Sequence, residues 1–92
     1  MSASEKLASE PGWCVYILEC HDKTLYTGVT NNLENRVEQH NFGQAAAKYT
    51  RARRPVKLVY HEEYPNKREA MQREYAIKKL RRSDKLNLIS QQ

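Results

Sequence analysis

Residues 13–29, WCVYILECHDKTLYTGV, decide the architecture. The run at 13–20 is rich in aromatic and β-branched side chains, and after His21, Asp22 and Lys23 a second such run follows at 24–29. Two β-forming runs joined by a short polar turn read as a β-hairpin. Its register depends on the turn: a three-residue loop at 21–23 sets Tyr16 and Tyr26 on one face of the sheet, whereas a two-residue loop sets them on opposite faces. A phenol inside a strand, where Phe would pack as well, implies a hydrogen-bonding task. Gly28, inside the second strand, implies close approach of a helix, ligand or backbone.

Downstream, Asn31 followed by Glu34 has capping-box spacing and opens a helix over 32–42, with Leu33 and Val37 toward the core and an exit at Phe42-Gly43. Residues 43–54 are small and basic, with room for a short helical turn at 45–49, and Pro55 punctuates them. The alternating stretch at 56–63, VKLVYHEE, reads as a third strand. Asn66 and Glu69 repeat the capping-box spacing ahead of a long helix bearing Ala70, Met71, Ile77 and Leu80 and ending near Arg82. Ser83 then caps a short last helix with Leu86, Leu88 and Ile89. The order β-β-α-β-α-α gives an α+β domain, a small three-stranded, mainly antiparallel sheet flanked by helices. Residues 1–11 lack apolar periodicity and end in Pro11, so they read as a disordered leader to a single domain at 12–92.

Ninety-two residues support one hydrophobic core and leave no room for a separate cofactor domain. Mean hydropathy is −0.92, yet 39% of the residues are hydrophobic, so the low value reflects a charged surface rather than a missing core. No stretch approaches the roughly 20 apolar residues of a membrane span, and no signal-peptide run is visible, so a cytoplasmic protein without membrane contact is expected. Cys14 and Cys20 lie in one strand, about 20 Å apart, and cannot bridge each other, which suits a reducing compartment. Neither they nor the histidines have zinc-site spacing.

The formal net charge of +5 is unevenly spread. Residues 1–42 carry 3 basic and 6 acidic groups, whereas 43–60 carry Lys48, Arg51, Arg53, Arg54 and Lys57 and no acid. Residues 67–92 carry 8 basic and 3 acidic groups. Two basic blocks on an otherwise acidic or neutral chain are the footprint of a phosphate-backbone partner, or else a basic loop and a solvated helix face.

Within the long helix, Glu74 falls between Ala70 and Met71 and close to Ile77, the stripe that should be buried. A carboxylate there is either salt-bridged to an arginine or functional. Arg36 and His40 are four apart and share a helix face, where they could address one ligand.

With these residues in place, the sequence resembles the GIY-YIG nuclease superfamily over residues 13–89, and in particular its small stand-alone (UPF0213-like) branch, which is related to the catalytic domain of structure-specific endonucleases. The first motif reads Cys14-Val15-Tyr16, with Cys14 in place of the motif glycine, and the second Tyr26-Thr27-Gly28. Arg36 follows ten residues after the second tyrosine, His40 lies one turn further on, and Glu74 falls where the family has its metal-binding glutamate. The segments 48–50 and 53–55 look like the basic loop of the stand-alone branch. Val29 stands where the excision-repair branch has a lysine, so phosphate contact must come from elsewhere, and Asn87 is near a family asparagine.

The resemblance implies a Mg²⁺- (or Mn²⁺-) dependent endonuclease acting on branched, flap or single-stranded DNA in repair or recombination. Tyr16, Tyr26, Arg36, His40 and Glu74 would be its catalytic residues, with Glu74 holding the metal. Lys48, Arg51, Arg53, Arg54, Lys57 and Lys78 would track the nucleic acid, and a partner protein could supply specificity. The competing expectations are a non-catalytic nucleic-acid-binding module of the same fold and a protein-interaction domain with a basic helix.

Overall fold

The turn at 21–23 is the three-residue form. Cys20 N–H donates to Thr24 O at 2.9 Å and Lys23 N–H to Cys20 O at 2.9 Å, with Lys23 in the left-handed region (φ 73°), the usual last residue of such a loop. The Asp22 carboxylate accepts from both the amide and the hydroxyl of Thr24 and locks the turn. In this computed structural model, which describes residues 12–91, the hairpin comprises β1 (Trp13–Glu19) and β2 (Leu25–Thr30). The expected leader at 1–11 lies outside the described residues.

After the hairpin come α1 (Leu33–Phe42), the single-turn α2 (Lys48–Arg51), β3 (Lys57–Tyr64), α3 (Lys67–Lys78) and α4 (Arg82–Ser90). The sheet order is β2-β1-β3 and both pairings are antiparallel. Leu18 faces Tyr26 and Tyr16 faces Gly28, so the two tyrosines share a face. The register to β3 slips by one residue between Ile17 and Leu18, a bulge that leaves Val59 without an opposite number.

Central strand β1 is covered on both sides, which explains why its apolar run is continuous rather than alternating. Val15, Ile17 and Tyr60 pack beneath Ala70 and Ile77 of α3, with Leu88 and Ile89 of α4 at the margin. On the opposite face Tyr16, Leu18, Cys20 and Val56 pack against Leu33 and Val37 of α1. Glu62 of β3 ties sheet to helix: it accepts from the Tyr60 and Tyr64 hydroxyls and takes both forks of Arg73 from α3, at 2.9 and 3.0 Å. These bonds outweigh the cost of burial and hold the Glu62 carboxyl down at about 2.

Several boundaries differ from the sequence reading. The cap of α1 is Asn32, not Asn31: Asn32 Oδ1 accepts from Asn35 N–H at 3.2 Å while Thr30 Oγ1 holds the Asn32 amide. Helix α2 starts later than the turn expected at 45–49. Helix α3 opens with the expected capping box, Asn66 Oδ1 accepting from Glu69 N–H at 2.9 Å and Asn66 Nδ2 donating to the Glu69 carboxylate, but ends at Lys78, short of Arg82. Ser83 lies inside α4 instead of capping it, because the chain turns at Arg81, whose carbonyl receives the amides of Asp84 and Lys85. Among the described residues no helix is long and apolar enough to cross a membrane.

Candidate active site

Four of the five expected catalytic side chains converge on the α1 face of the hairpin. Tyr16 lies directly across the ladder from Gly28, and a Cβ at Gly28 would stand 2.6 Å from the Tyr16 phenol oxygen and 2.7 Å from Cζ. The close approach expected at Gly28 is therefore that of the Tyr16 ring, made possible by the missing side chain. The phenol oxygen is 2.8 Å from His40 Nε2. His40 sits in the last turn of α1 and is fully buried, with its other nitrogen, Nδ1, 2.7 Å from Thr50 Oγ1 of α2. The Tyr26 ring packs edge-on against His40 and stacks on Tyr49, centroids 6.0 Å apart.

Burial pushes the Tyr16 phenol up to about 12, against the pull of the Arg36 guanidinium beside it; the charges of Tyr26 and Glu74 add to the rise. The same burial, with the cationic charges of Arg36 and Arg54, lowers His40 to about 4. At neutral pH the site thus holds a neutral phenol against a neutral imidazole. Arg36 is kept in place by Gln39 Oε1 at 3.0 Å and Ala45 O at 3.1 Å.

Glu74 lies at the edge of the covered stripe, largely but not fully buried. The buried stripe of α3 is Ala70 and Ile77, while Met71 is 46% exposed and the Glu74 side chain retains 19% of its exposure. Its ion pair is with Lys78 one turn on, at 3.3 Å, not with an arginine. It stands on an open groove also lined by Arg68, Met71, Tyr75 and Lys78. Among the described residues no three His, Cys, Asp or Glu side chains converge to hold a metal. A single carboxylate fits a cation that keeps most of its water, as Mg²⁺ does, and does not fit one needing a full set of protein ligands.

The expected nucleic-acid residues divide. Lys48 and Arg51 are exposed on α2. Arg53 pairs with Asp22 at 3.0 Å and lies 3.8 Å over the Tyr49 ring. Lys57 reaches Glu19 at 3.5 Å. Arg54 instead closes the C-terminus of α1, donating to the carbonyls of His40 (2.6 Å), Gln39 (3.2 Å) and Gly43. Asn41, beside His40, pairs through both side-chain atoms with the backbone of Val56, and Asn87 lies exposed on α4. Thr50 is the residue that sequence reading missed: nothing in a basic loop singles out one threonine, and its partner His40 is ten residues away.

The pattern of the GIY-YIG catalytic domain matches residues 12–87. The chain is 66% identical to the UPF0213 protein CPE1444 of Clostridium perfringens over 76 residues, 83% of this chain and 81% of that one. It is 56% identical to a UPF0213 protein of Syntrophus aciditrophicus over 77 residues, 84% of this chain and 88% of that one. Among solved structures it is similar to the solution NMR structure of the UPF0213 protein BH0048 from Bacillus halodurans, with a TM-score of 0.58 and 44% identity, covering 88% of this chain and 85% of that one. The fold is of the nuclease type, and the chain belongs to the GIY-YIG family, among its UPF0213 members.

Proposed function

We propose that this protein is a metal-dependent endonuclease that hydrolyses phosphodiester bonds of DNA, on branched, flap or single-stranded substrates, with a role in repair or recombination. The observation that carries this reading is the Tyr16–His40 contact at 2.8 Å, beside Arg36 and within the electrostatic reach of Glu74. Phosphodiester hydrolysis needs an aligned water, a sink for charge on the pentacovalent transition state and help for the leaving oxygen. Tyr16 would orient the water, with Tyr26 packing the His40 ring in place. Arg36 would clamp the scissile phosphate through its fork. A phosphate on Arg36 offsets one of the two cationic charges that hold His40 low, and so raises its proton affinity. Glu74 would hold Mg²⁺ or Mn²⁺, whose positive charge supplies transition-state stabilisation when bound. Lys48, Arg51, Arg53, Lys57 and Lys78 would follow the backbone, and specificity for one DNA structure could be lent by a partner protein.

The test is Mg²⁺-dependent cleavage of end-labelled single-stranded, duplex, flap and four-way-junction DNA by wild type, Glu74→Gln and Arg36→Ala. Loss of cleavage in both variants, with binding retained, supports the reading. Binding without cleavage in wild type, indifferent to Mg²⁺ and to Glu74→Gln, favours the non-catalytic binding module.

A further inference from the structure

We propose that Thr50 is the positioning residue that holds His40 in its Nδ1–H tautomer, leaving Nε2 as the acceptor for the Tyr16 proton. The tautomer is independent of the nuclease reading above, on which its catalytic consequence rests. Thr50 is fully buried, with its Oγ1 3.0 Å from the Ala47 carbonyl and 2.7 Å from His40 Nδ1. A carbonyl oxygen can only accept, and a hydroxyl has one proton to give. The Thr50 proton therefore goes to Ala47, and toward the ring Thr50 can only accept, so Nδ1 carries the hydrogen.

The other nitrogen then follows. The groups facing His40 are Tyr16 from β1, Tyr26 from β2, Arg36 on its own helix, Thr50 from α2 and Arg54 from the segment before β3. Two of these are cationic and the ring is sealed from water, so a second proton is disfavoured and Nε2 keeps its lone pair. Facing a bare Nε2 at 2.8 Å, the Tyr16 hydroxyl is the donor. Every bond in the row from Tyr16 through His40 and Thr50 to Ala47 now runs in one direction, set by a backbone carbonyl at its end. The single turn of α2 accordingly does more than fill space, because it delivers the hydroxyl that fixes the ring.

In the proposed reaction the water oxygen bonds to phosphorus as the phosphorus–oxygen bond to the leaving group breaks, and the water gives a proton to the Tyr16 oxygen as the Tyr16 proton moves to His40 Nε2. The leaving alkoxide takes a proton from solvent, and His40 later releases its extra one. In the Nε2–H tautomer that transfer has no acceptor.

The experiment is long-range ¹⁵N–¹H correlation NMR of His40 near pH 7 in ¹⁵N-labelled wild type, Thr50→Val and Thr50→Ser, with cleavage rates measured in parallel. The expected result is a protonated Nδ1 and a bare Nε2 in wild type and Thr50→Ser. Thr50→Val should move the proton to Nε2 and lose about 100-fold in rate, with Thr50→Ser within about tenfold of wild type. An Nε2–H ring in wild type overturns the proposal even if Thr50→Val does not fold, and so does an unchanged tautomer or rate in a folded Thr50→Val. A wild type that cleaves none of the DNAs while holding Nδ1–H overturns the nuclease reading and supports the tautomer.

Discussion

Gly28 and Tyr16 are partners across the β1–β2 ladder, and the Tyr16 ring occupies the space where any side chain at position 28 would begin. Tyr16 can yield only at a cost, because it is fully buried and its hydroxyl is bonded to His40. Gly28→Ala should therefore displace the phenol from His40 and cost about 1–3 kcal/mol of stability, the usual penalty of overpacking. Chemical denaturation measures the loss, and the tyrosine hydroxyl and His40 ring signals should shift together. A variant as stable as wild type with unchanged His40 signals would contradict the packing described here.

His40 makes the fold acid-sensitive in a defined window. Its folded value lies near 4, below the ordinary 6.5, so between those two values the unfolded chain binds more protons and stability falls as pH is lowered. The contribution is complete above pH 6.5 and amounts to about 3 kcal/mol at most, since 2.5 units separate the two states. Urea midpoints followed from pH 7 to pH 4 should drop, and less steeply in a folded His40→Gln variant. An imidazole that titrates near 6.5 by NMR would refute the burial and the arginine charges as its controls.

The hairpin, the three strands and the Arg36/His40 pairing were legible because each rests on local pattern: β-forming runs around a polar turn, and a four-residue interval on one helix. What stayed hidden depends on contacts distant in sequence. The choice between Asn31 and Asn32 as cap turned on where β2 released the chain, with Thr30 holding the Asn32 amide. Met71 looked buried because it is apolar, but it is 46% exposed, so the covered stripe is narrower than the helical wheel suggests and Glu74 lies at its edge rather than in its middle. Arg54 read as a phosphate ligand within a basic run, whereas its fork is engaged by three carbonyls ending α1.

Three part-buried carbonyl bonds separate Arg54 from Arg51, whose one backbone bond, to the Gln44 carbonyl at 3.2 Å, is exposed. Cations at a helix C-terminus are favourable, and hydrogen bonds to charged donors are stronger than neutral ones. Arg54→Ala should cost about 1–3 kcal/mol of stability, and Arg54→Lys should recover little, because an ammonium lacks the planar fork. Arg51→Ala, on the exposed side of α2, should leave stability within about 0.5 kcal/mol and weaken binding to DNA in a salt-dependent way. Equal stability losses in the two variants would go against this division.

Glu62 provides a second acid-linked element, independent of the site. Its folded value of about 2 lies below the ordinary 4.5, so its stabilisation is complete above pH 4.5 and is lost as pH falls toward 2. Because Arg73 is partly exposed, screening reduces the contribution to about 1–3 kcal/mol. The stability gap between wild type and Glu62→Gln should narrow from pH 5 to pH 2. A gap that is constant across that range would mean that the Arg73 fork is not its source.

The pairing of Glu74 with Lys78 leads to a prediction opposite in sign to an ordinary loss of contact. In the proposed nuclease both Lys78 and the cation seek the same carboxylate, at 3.3 Å for the ammonium, so Lys78→Ala removes a competitor. A pair whose ammonium is half-exposed is worth about 0.2–1 kcal/mol, so the Mg²⁺ concentration for half-maximal cleavage should fall by up to about fivefold. Lys78 also borders the groove where Tyr26 and Tyr49 lie, and losing a phosphate contact there should weaken DNA binding and flatten its salt dependence by about 0.7–0.9 in slope. The two effects are separable by titrating Mg²⁺ at saturating DNA and DNA in the absence of metal. If Lys78→Ala raises the Mg²⁺ requirement, Lys78 supports the carboxylate rather than competing for it, and Glu74 is not the open metal ligand assumed here.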